Sequence, residues 1–133
     1  MTVQHQLYSH PIDEINTKER VARLFSRSIK KDSKLFALNL TLSMIDLTTL
    51  EGKDSPGKVK QLCYKAAHLH DQYPDLPNVA AICVYPTMVP IAKKALNGTN
   101  INIASVATSF PSGMADLQSK LDEVKSVVDA GAN

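Results

Sequence analysis

The stretch Val79–Tyr85, which reads VAAICVY, is an unbroken apolar run. Continuous rather than alternating apolarity is typical of a strand that is buried on both faces, as in a parallel sheet. Two further strands are predicted at Met44–Leu47 and Ile101–Val106, one before and one after this run. Each of the three is followed by a helical pattern. The sequence therefore predicts three successive strand–helix units, with right-handed crossovers and a parallel sheet.

Local signals place the intervening helices. Ser55 and Pro56 predict a helix start, because serine caps helices and proline suits the first helical position. Thr87 is expected to cap the second helix, with Gly98 as its left-handed stop. The third helix is expected to end at Gly131. It is predicted from an apolar stripe with helical spacing, formed by Leu117, Leu121, Val124 and Val128.

Residues 1–41 are predicted to form an N-terminal extension that is partly helical. Residues 1–16 read as a polar lead-in, and a helix capped by Asn16 or Thr17 is expected to fade near Lys30 and Lys31. The apolar segment Leu35–Leu42 has an ambiguous period and is interpreted as a short helix running into a strand. The predicted organisation is thus an extension, 1–41, followed by an incomplete domain, 42–133.

The composition and charge of the chain argue against several kinds of partner and site. The chain has 133 residues and a formal net charge of only +2, which gives no electrostatic reason to expect nucleic acid or an anionic membrane as partner. No apolar run is long enough to span a bilayer, and the polar N-terminus does not resemble a signal peptide, so a cytoplasmic protein is expected. Cys63 and Cys83 are the only cysteines and lie far apart, so neither a zinc site nor a disulfide is predicted.

Ligands of parallel sheets gather at the carboxyl ends of the strands. The candidate functional residues are therefore the polar side chains in or just after each predicted strand. These are Asp46, Thr48, Thr49, Cys83, Tyr85, Ser105, Thr108 and Ser109.

Asp46 is the most informative of these because its strand is otherwise apolar. A carboxylate inside a sheet suits proton transfer, since burial lifts its pKa, but it equally suits a structural role holding hydroxyls or amides in place. Thr48 lies two residues on and is expected on the same face, either orienting a water or substrate hydroxyl or serving as an ordinary strand residue. Cys83 is predicted to line a pocket rather than act as a nucleophile, because apolar surroundings keep a thiol neutral.

Three motifs taken together resemble the first three strands of the deoxyribose-phosphate aldolase family. They are MIDLTTL at Met44–Leu50, AAICVYP at Ala80–Pro86 and IASVATSFPSG at Ile103–Gly113, and their order and spacing both fit. The resemblance runs from about Leu42 to the end. It implies the first three βα units of a TIM (β/α)8 barrel, an α/β fold, and a class I aldolase, which is a lyase. Such an enzyme reversibly cleaves 2-deoxy-D-ribose 5-phosphate to D-glyceraldehyde 3-phosphate and acetaldehyde through a lysine Schiff base, with no metal or cofactor.

Carried over by motif, the resemblance places Asp46 in the proton relay and Thr48 and Cys83 in the substrate pocket. The relay aspartate of the family's strand 4, its Schiff-base lysine and its second active-site lysine are expected beyond Asn133. The lysines present, such as Lys58, Lys93 and Lys120, are predicted to lie in helices. The chain is therefore expected to be inactive alone.

Two other functions stay open: a non-enzymatic half-barrel interaction module, and one piece of an enzyme completed by a second chain. The unpaired edges of a three-stranded sheet also predict marginal stability, self-association or a complementary chain.

Overall fold

The structure, a computed structural model, describes residues 11–133. Most of the polar lead-in predicted for residues 1–16 lies outside the described residues. The chain divides into two compact units between Lys34 and Leu35, and each is described by itself. None of the helices in the described part of the chain is both long and apolar enough to cross a membrane.

Two helices precede the sheet. Helix α1 spans Glu14–Phe25, and the Asp13 carboxylate caps it by accepting a hydrogen bond from the Asn16 N–H at 3.0 Å. The predicted cap at Asn16 or Thr17 is therefore wrong, because an acidic side chain three residues earlier reaches the free amides of the first turn. The predicted fading near Lys30 is also wrong, since α1 ends at Phe25. Helix α2, Lys31–Leu42, is helical throughout.

The sheet consists of β1 (Asp46–Thr48), β2 (Ala81–Val84) and β3 (Asn102–Ser105), all parallel and in the order β1-β2-β3. This confirms the predicted parallel three-stranded sheet. Each strand is shorter than its apolar run, because the outer residues of each run lie beyond the paired stretch.

Each strand is followed by a helix, namely α3 (Pro56–Ala67), α4 (Val89–Ala95) and α5 (Leu117–Asp129). The Ser55 cap is confirmed, because the Ser55 Oγ accepts a hydrogen bond from the Lys58 N–H at 3.3 Å. The Thr87 cap is wrong. A 3₁₀ turn at Pro86–Met88 comes first, and α4 begins after it with no side-chain cap. Gly98 adopts the predicted left-handed conformation, with φ of 86°.

Helix α5 ends as predicted at Gly131, whose φ is 109°. The Gly131 N–H donates to the Val128 carbonyl and the Ala132 N–H to the Val127 carbonyl, each at 3.0 Å. This pair of bonds is a Schellman motif, which satisfies two helix-end carbonyls and turns the chain sharply. The turn brings Asn133 alongside β3.

The core lies on one face of the sheet, between the sheet and the helices α3 and α4. Ile82, Val84 and Ile103 supply it from the strands, and Val59 and Val89 are among the fully buried side chains that the helices supply. Helix α5 contributes Val127. The apolar stripe that predicted α5 does not enter this core, and its four side chains remain 39–72% exposed.

Candidate functional site

Asp46, Thr48 and Cys83 lie on the sheet face opposite α3 and α4. Thr48 and Cys83 are Cα partners across the β1–β2 pair, and Asp46 lies two residues before Thr48. Side chains in register on neighbouring parallel strands point to the same face, and residues two apart on one strand share a face. The structure therefore brings the three residues together on one face.

The environment of Asp46 differs from the expectation. Asp46 and Thr48 are both exposed, whereas a carboxylate buried within the sheet was expected. The reason is that β1 is an outer strand, and that its face carrying Asp46 is not covered by α3 or α4. Desolvation therefore gives no argument for proton transfer here. The remaining support for a functional role of Asp46 is its position on the same sheet face as Thr48 and Cys83.

Cys83 is half-buried and has neighbours that act on its thiol. Burial raises the pKa of Cys83, a hydrogen bond with the Thr48 side chain lowers it, and the nearby Asp46 carboxylate raises it again; the net shift is upward. A thiol with a raised pKa is neutral near pH 7 and is a poor nucleophile. This environment is compatible with the predicted pocket-lining role, which stays a prediction.

A charged network fixes the loop that follows β1. The Thr49 hydroxyl donates to Asp54 Oδ1 at 2.8 Å, the Glu51 N–H donates to Asp54 Oδ2 at 3.0 Å, and Lys58 Nζ lies 2.8 Å from Asp54 Oδ1. The Asp54 side chain is only 2% exposed, and the Lys58 ammonium, which also contacts Glu51, lowers the pKa of Asp54. Sequence reasoning missed this network. Its one signal was the i, i+4 spacing of Asp54 and Lys58.

A second anchored loop follows β3. Thr108 and Ser109 both have left-handed backbones, with φ of 61° and 60°. Outside glycine this conformation costs about 1–2 kcal/mol per residue, so the surroundings must hold it. The Ser109 N–H donates to Glu123 Oε2 at 2.7 Å, which ties the loop to α5. Glu123 was not a candidate because it lies inside a helix, far in sequence from any strand end.

The lysines of the described residues belong to none of the three strands that form this face. Lys58, Lys93 and Lys120 lie in α3, α4 and α5 as predicted. The contact with Asp54, followed by that with Glu51, raises the pKa of Lys58. A Schiff-base amine requires a lowered pKa, so Lys58 is unsuited to that role.

A cavity of about 770 Å³ lies between the end of β1 and α3. Thr48, Lys58, Tyr64 and His68 are among its lining residues, but Asp46 and Cys83 are not. The predicted site is therefore an open sheet face and not this cavity. Of its three residues, only Thr48 also lines the cavity.

No family model matches the chain. Two curated relatives are both named deoxyribose-phosphate aldolase. The one from Homo sapiens is 39% identical over 119 residues and the one from Mus musculus 41% identical over 121 residues. A solved structure of a candidate deoxyribose-phosphate aldolase from Coccidioides immitis aligns with a TM-score of 0.61 and 26% identity, over 71% of this chain and 34% of that one.

Each curated match covers 80% of this chain but only 36% of the relative. The chain is thus similar to deoxyribose-phosphate aldolases over most of its own length and about a third of theirs. The predicted resemblance is confirmed, as is the fold class of a partial aldolase-type barrel.

Proposed function

We propose that this chain is part of a lyase of the deoxyribose-phosphate aldolase type, which reversibly cleaves 2-deoxy-D-ribose 5-phosphate to D-glyceraldehyde 3-phosphate and acetaldehyde through a lysine Schiff base. The observation that carries the proposal is the meeting of Asp46, Thr48 and Cys83 on one open sheet face. These are the residues that the resemblance assigns to the site. A sugar phosphate as ligand and a cytoplasmic location belong to the same proposal.

Each residue has a role that its surroundings allow. The exposed Asp46 carboxylate accepts a proton or a hydrogen bond from a ligand lying on the face. The Thr48 hydroxyl both donates and accepts, so it orients a substrate hydroxyl next to Asp46. Cys83, held neutral by burial, supplies a small apolar wall.

The nucleophile of this reaction is proposed to come from outside residues 11–133. The covalent step joins a lysine amine to the substrate carbonyl and releases water as the imine forms, so the amine must be unprotonated and must reach the open face. Lys58 is held protonated by Asp54 and Glu51, and the strands that form the face carry no lysine among the described residues. The chain alone is therefore proposed to be inactive.

An interaction module without enzymatic activity is the second candidate function. The exposed apolar stripe of α5 favours it, because a helix with that much uncovered apolar surface is suited to binding another protein. The two candidates differ in whether the open face binds a sugar phosphate.

A titration of the ¹⁵N-labelled chain with 2-deoxy-D-ribose 5-phosphate tests the proposal. We expect shift changes centred on Asp46, Thr48 and Cys83, and their loss in Asp46→Asn. The matched control is Asp75→Asn, which makes the same change at an exposed carboxylate away from the strands. Shift changes confined to the cavity beside α3, or no changes at all, would contradict a site on this face.

Borohydride reduction in the presence of acetaldehyde tests the missing nucleophile. We expect no site-specific N-ethyl-lysine on this chain, and a modified lysine on the full-length Homo sapiens relative treated in parallel. Peptide mass spectrometry locates the adducts. A single reduced lysine on this chain, formed in preference to the others, would show that the amine is already present.

A further inference from the structure

The loop formed by residues 107–113 leaves β3 at the carboxyl end of the sheet, beside the open face that carries the candidate site. Ala104 is the Cα partner of Cys83, and Val106 lies two residues further on, so both belong to that face. The Val106 N–H donates to the Val84 carbonyl at 3.2 Å, which keeps the chain in register with β2 up to the start of the loop. Because ligands of parallel sheets bind at this end, the loop borders the candidate site.

Two consecutive residues of this loop have an unfavourable backbone conformation. The φ angles of Thr108 and Ser109 are 61° and 60°, and neither residue is a glycine. For a β-branched residue such as threonine, a positive φ is a genuine outlier. Such a conformation persists only where the surroundings determine it, and strain of this kind is concentrated at functional sites. Contacts with other parts of the chain must therefore hold the two residues in place.

Both backbone groups of Ser109 are hydrogen-bonded. The Ser109 carbonyl accepts a hydrogen bond from the Gly113 N–H at 2.9 Å, which closes the loop on itself. The Ser109 N–H donates to Glu123 Oε2 at 2.7 Å, and among residues 11–133 this is the one hydrogen bond that joins the loop to α5. Its acceptor is a carboxylate, which makes it stronger than a bond between neutral groups. Glu123 is therefore the contact that fixes the strained pair to the rest of the fold.

Helix α5 presents two adjacent carboxylates in different surroundings. Glu123 is half-buried and lies one turn before the buried Val127, so these two residues share the inward flank of the helix. Asp122 is exposed, and its Oδ1 accepts a hydrogen bond from Gln118 Nε2 at 2.9 Å. One carboxylate thus holds the loop and the other makes a bond within the helix surface. Asp122 is for this reason a matched control for Glu123.

We propose that Glu123 is a positioning residue of the sugar-phosphate site. Its carboxylate holds Thr108 and Ser109 in the left-handed conformation, and the loop held in this way forms a rim of the site. Glu123 acts through the loop and not by contact with the ligand. Without the carboxylate the loop leaves the strained conformation for part of the time, and the apparent affinity falls in proportion to the fraction that stays competent. This inference rests on the proposed function and adds a residue to its site.

The test titrates the ¹⁵N-labelled full chain with 2-deoxy-D-ribose 5-phosphate, as wild type and as Glu123→Ala. We expect Glu123→Ala to weaken the affinity at least about fivefold. It should also lose the strong nuclear Overhauser effects between N–H and Hα within Thr108 and within Ser109, which report a positive φ. Glu123→Gln keeps an acceptor oxygen and should retain most of both signals. Asp122→Ala, the control, should change the affinity by less than about twofold.

Ser109→Gly distinguishes positioning from direct contact or a general loss of structure. Glycine adopts a positive φ without steric cost, so adding Ser109→Gly to Glu123→Ala should raise the affinity at least about twofold over Glu123→Ala alone. A defect in the packing of α5 would not be reversed by a change in the loop. Urea midpoints of all variants show whether the whole fold is affected. If Glu123→Ala does not fold, Glu123→Asp keeps the charge but withdraws the carboxylate, and it should weaken the affinity in the same direction.

Failure of this inference and failure of the proposed function are distinguishable. Wild-type affinity in Glu123→Ala, or no recovery when Ser109→Gly is added, would overturn the positioning role. Both outcomes leave the proposed function standing, because the wild type still binds the sugar phosphate. Absence of binding by the wild type would instead refute the proposed function, and the role of the loop as a rim of its site with it.

Discussion

Replacement of Ile82 by alanine tests the central asymmetry of the fold, in which one sheet face is covered and the other is open. Ile82 is fully buried in the middle strand, with Leu47 and Ile103 as its Cα partners. The substitution removes three carbon groups, each contributing about 0.8 kcal/mol when buried, or about 2.4 kcal/mol in all. The cavity left behind adds to this, so we expect a loss of about 3–4 kcal/mol in the free energy of unfolding.

Cys83→Ala on the same strand is the matched comparison. Cys83 is adjacent in sequence but points to the open face, where it is only half-buried. We therefore expect its replacement to cost about 1 kcal/mol or less. Urea unfolding followed by circular dichroism measures both, with a shared slope as the check that the unfolding transition is unchanged.

Ile82→Val keeps the experiment informative if the alanine variant does not fold, because it should lose only about 0.5–1.5 kcal/mol. Equal losses for Cys83→Ala and Ile82→Ala would refute the reasoning, since the face carrying the candidate site would then be as buried in solution as the core. A loss below about 1 kcal/mol for Ile82→Ala would also refute it.

Four further substitutions, one of them a control, probe the loops and caps. Ser55→Ala should lower the free energy of unfolding by about 1 kcal/mol, because its hydroxyl caps α3; an unchanged urea midpoint would contradict the cap. Gly131→Ala should destabilise by more than about 1 kcal/mol, because its φ is 109° and a Cβ would lie 3.1–3.3 Å from Lys93 side-chain carbons. Gly52→Ala, where a Cβ meets nothing within 4 Å, is the control and should lose less. The pKa of Asp54 is lowered from 3.8 in the folded state, so its stabilising effect is present above that pH and is lost as the pH falls through the folded pKa. Urea midpoints from about pH 6 to pH 2 should therefore fall more steeply for the wild type than for Asp54→Asn, and equal slopes would argue against the network.

The order and type of the elements were predictable because their signals are local. Ser55 followed by Pro56 signals the start of α3 locally, and the continuous apolarity of Val79–Tyr85 is typical of a strand buried on both faces. Boundaries were less predictable. Helix α4 begins later than predicted because Pro86 leads into a 3₁₀ turn rather than an α-helix. The two backbone geometries are similar, so the sequence does not distinguish them.

The residues that form the site could be predicted from the sequence, but their exposure to solvent could not. Strand alternation and register place Asp46 and Thr48 on one face, and both follow from sequence once the strands are paired. The exposure of Asp46 does not, because it depends on what covers that face. The bond from Ser109 to Glu123 was beyond prediction for a related reason, since it joins a loop to a helix turn that only the folded chain brings close.

The order β1-β2-β3 has a consequence for how this protein is made. Each strand pairs with the one synthesised immediately before it, and the intervening helix is already available to cover the joint. Chains leave the ribosome at roughly 5–20 residues per second, which is slow compared with strand and helix formation. The sheet can therefore grow one unit at a time during translation, with every new strand docking on an edge that is already formed.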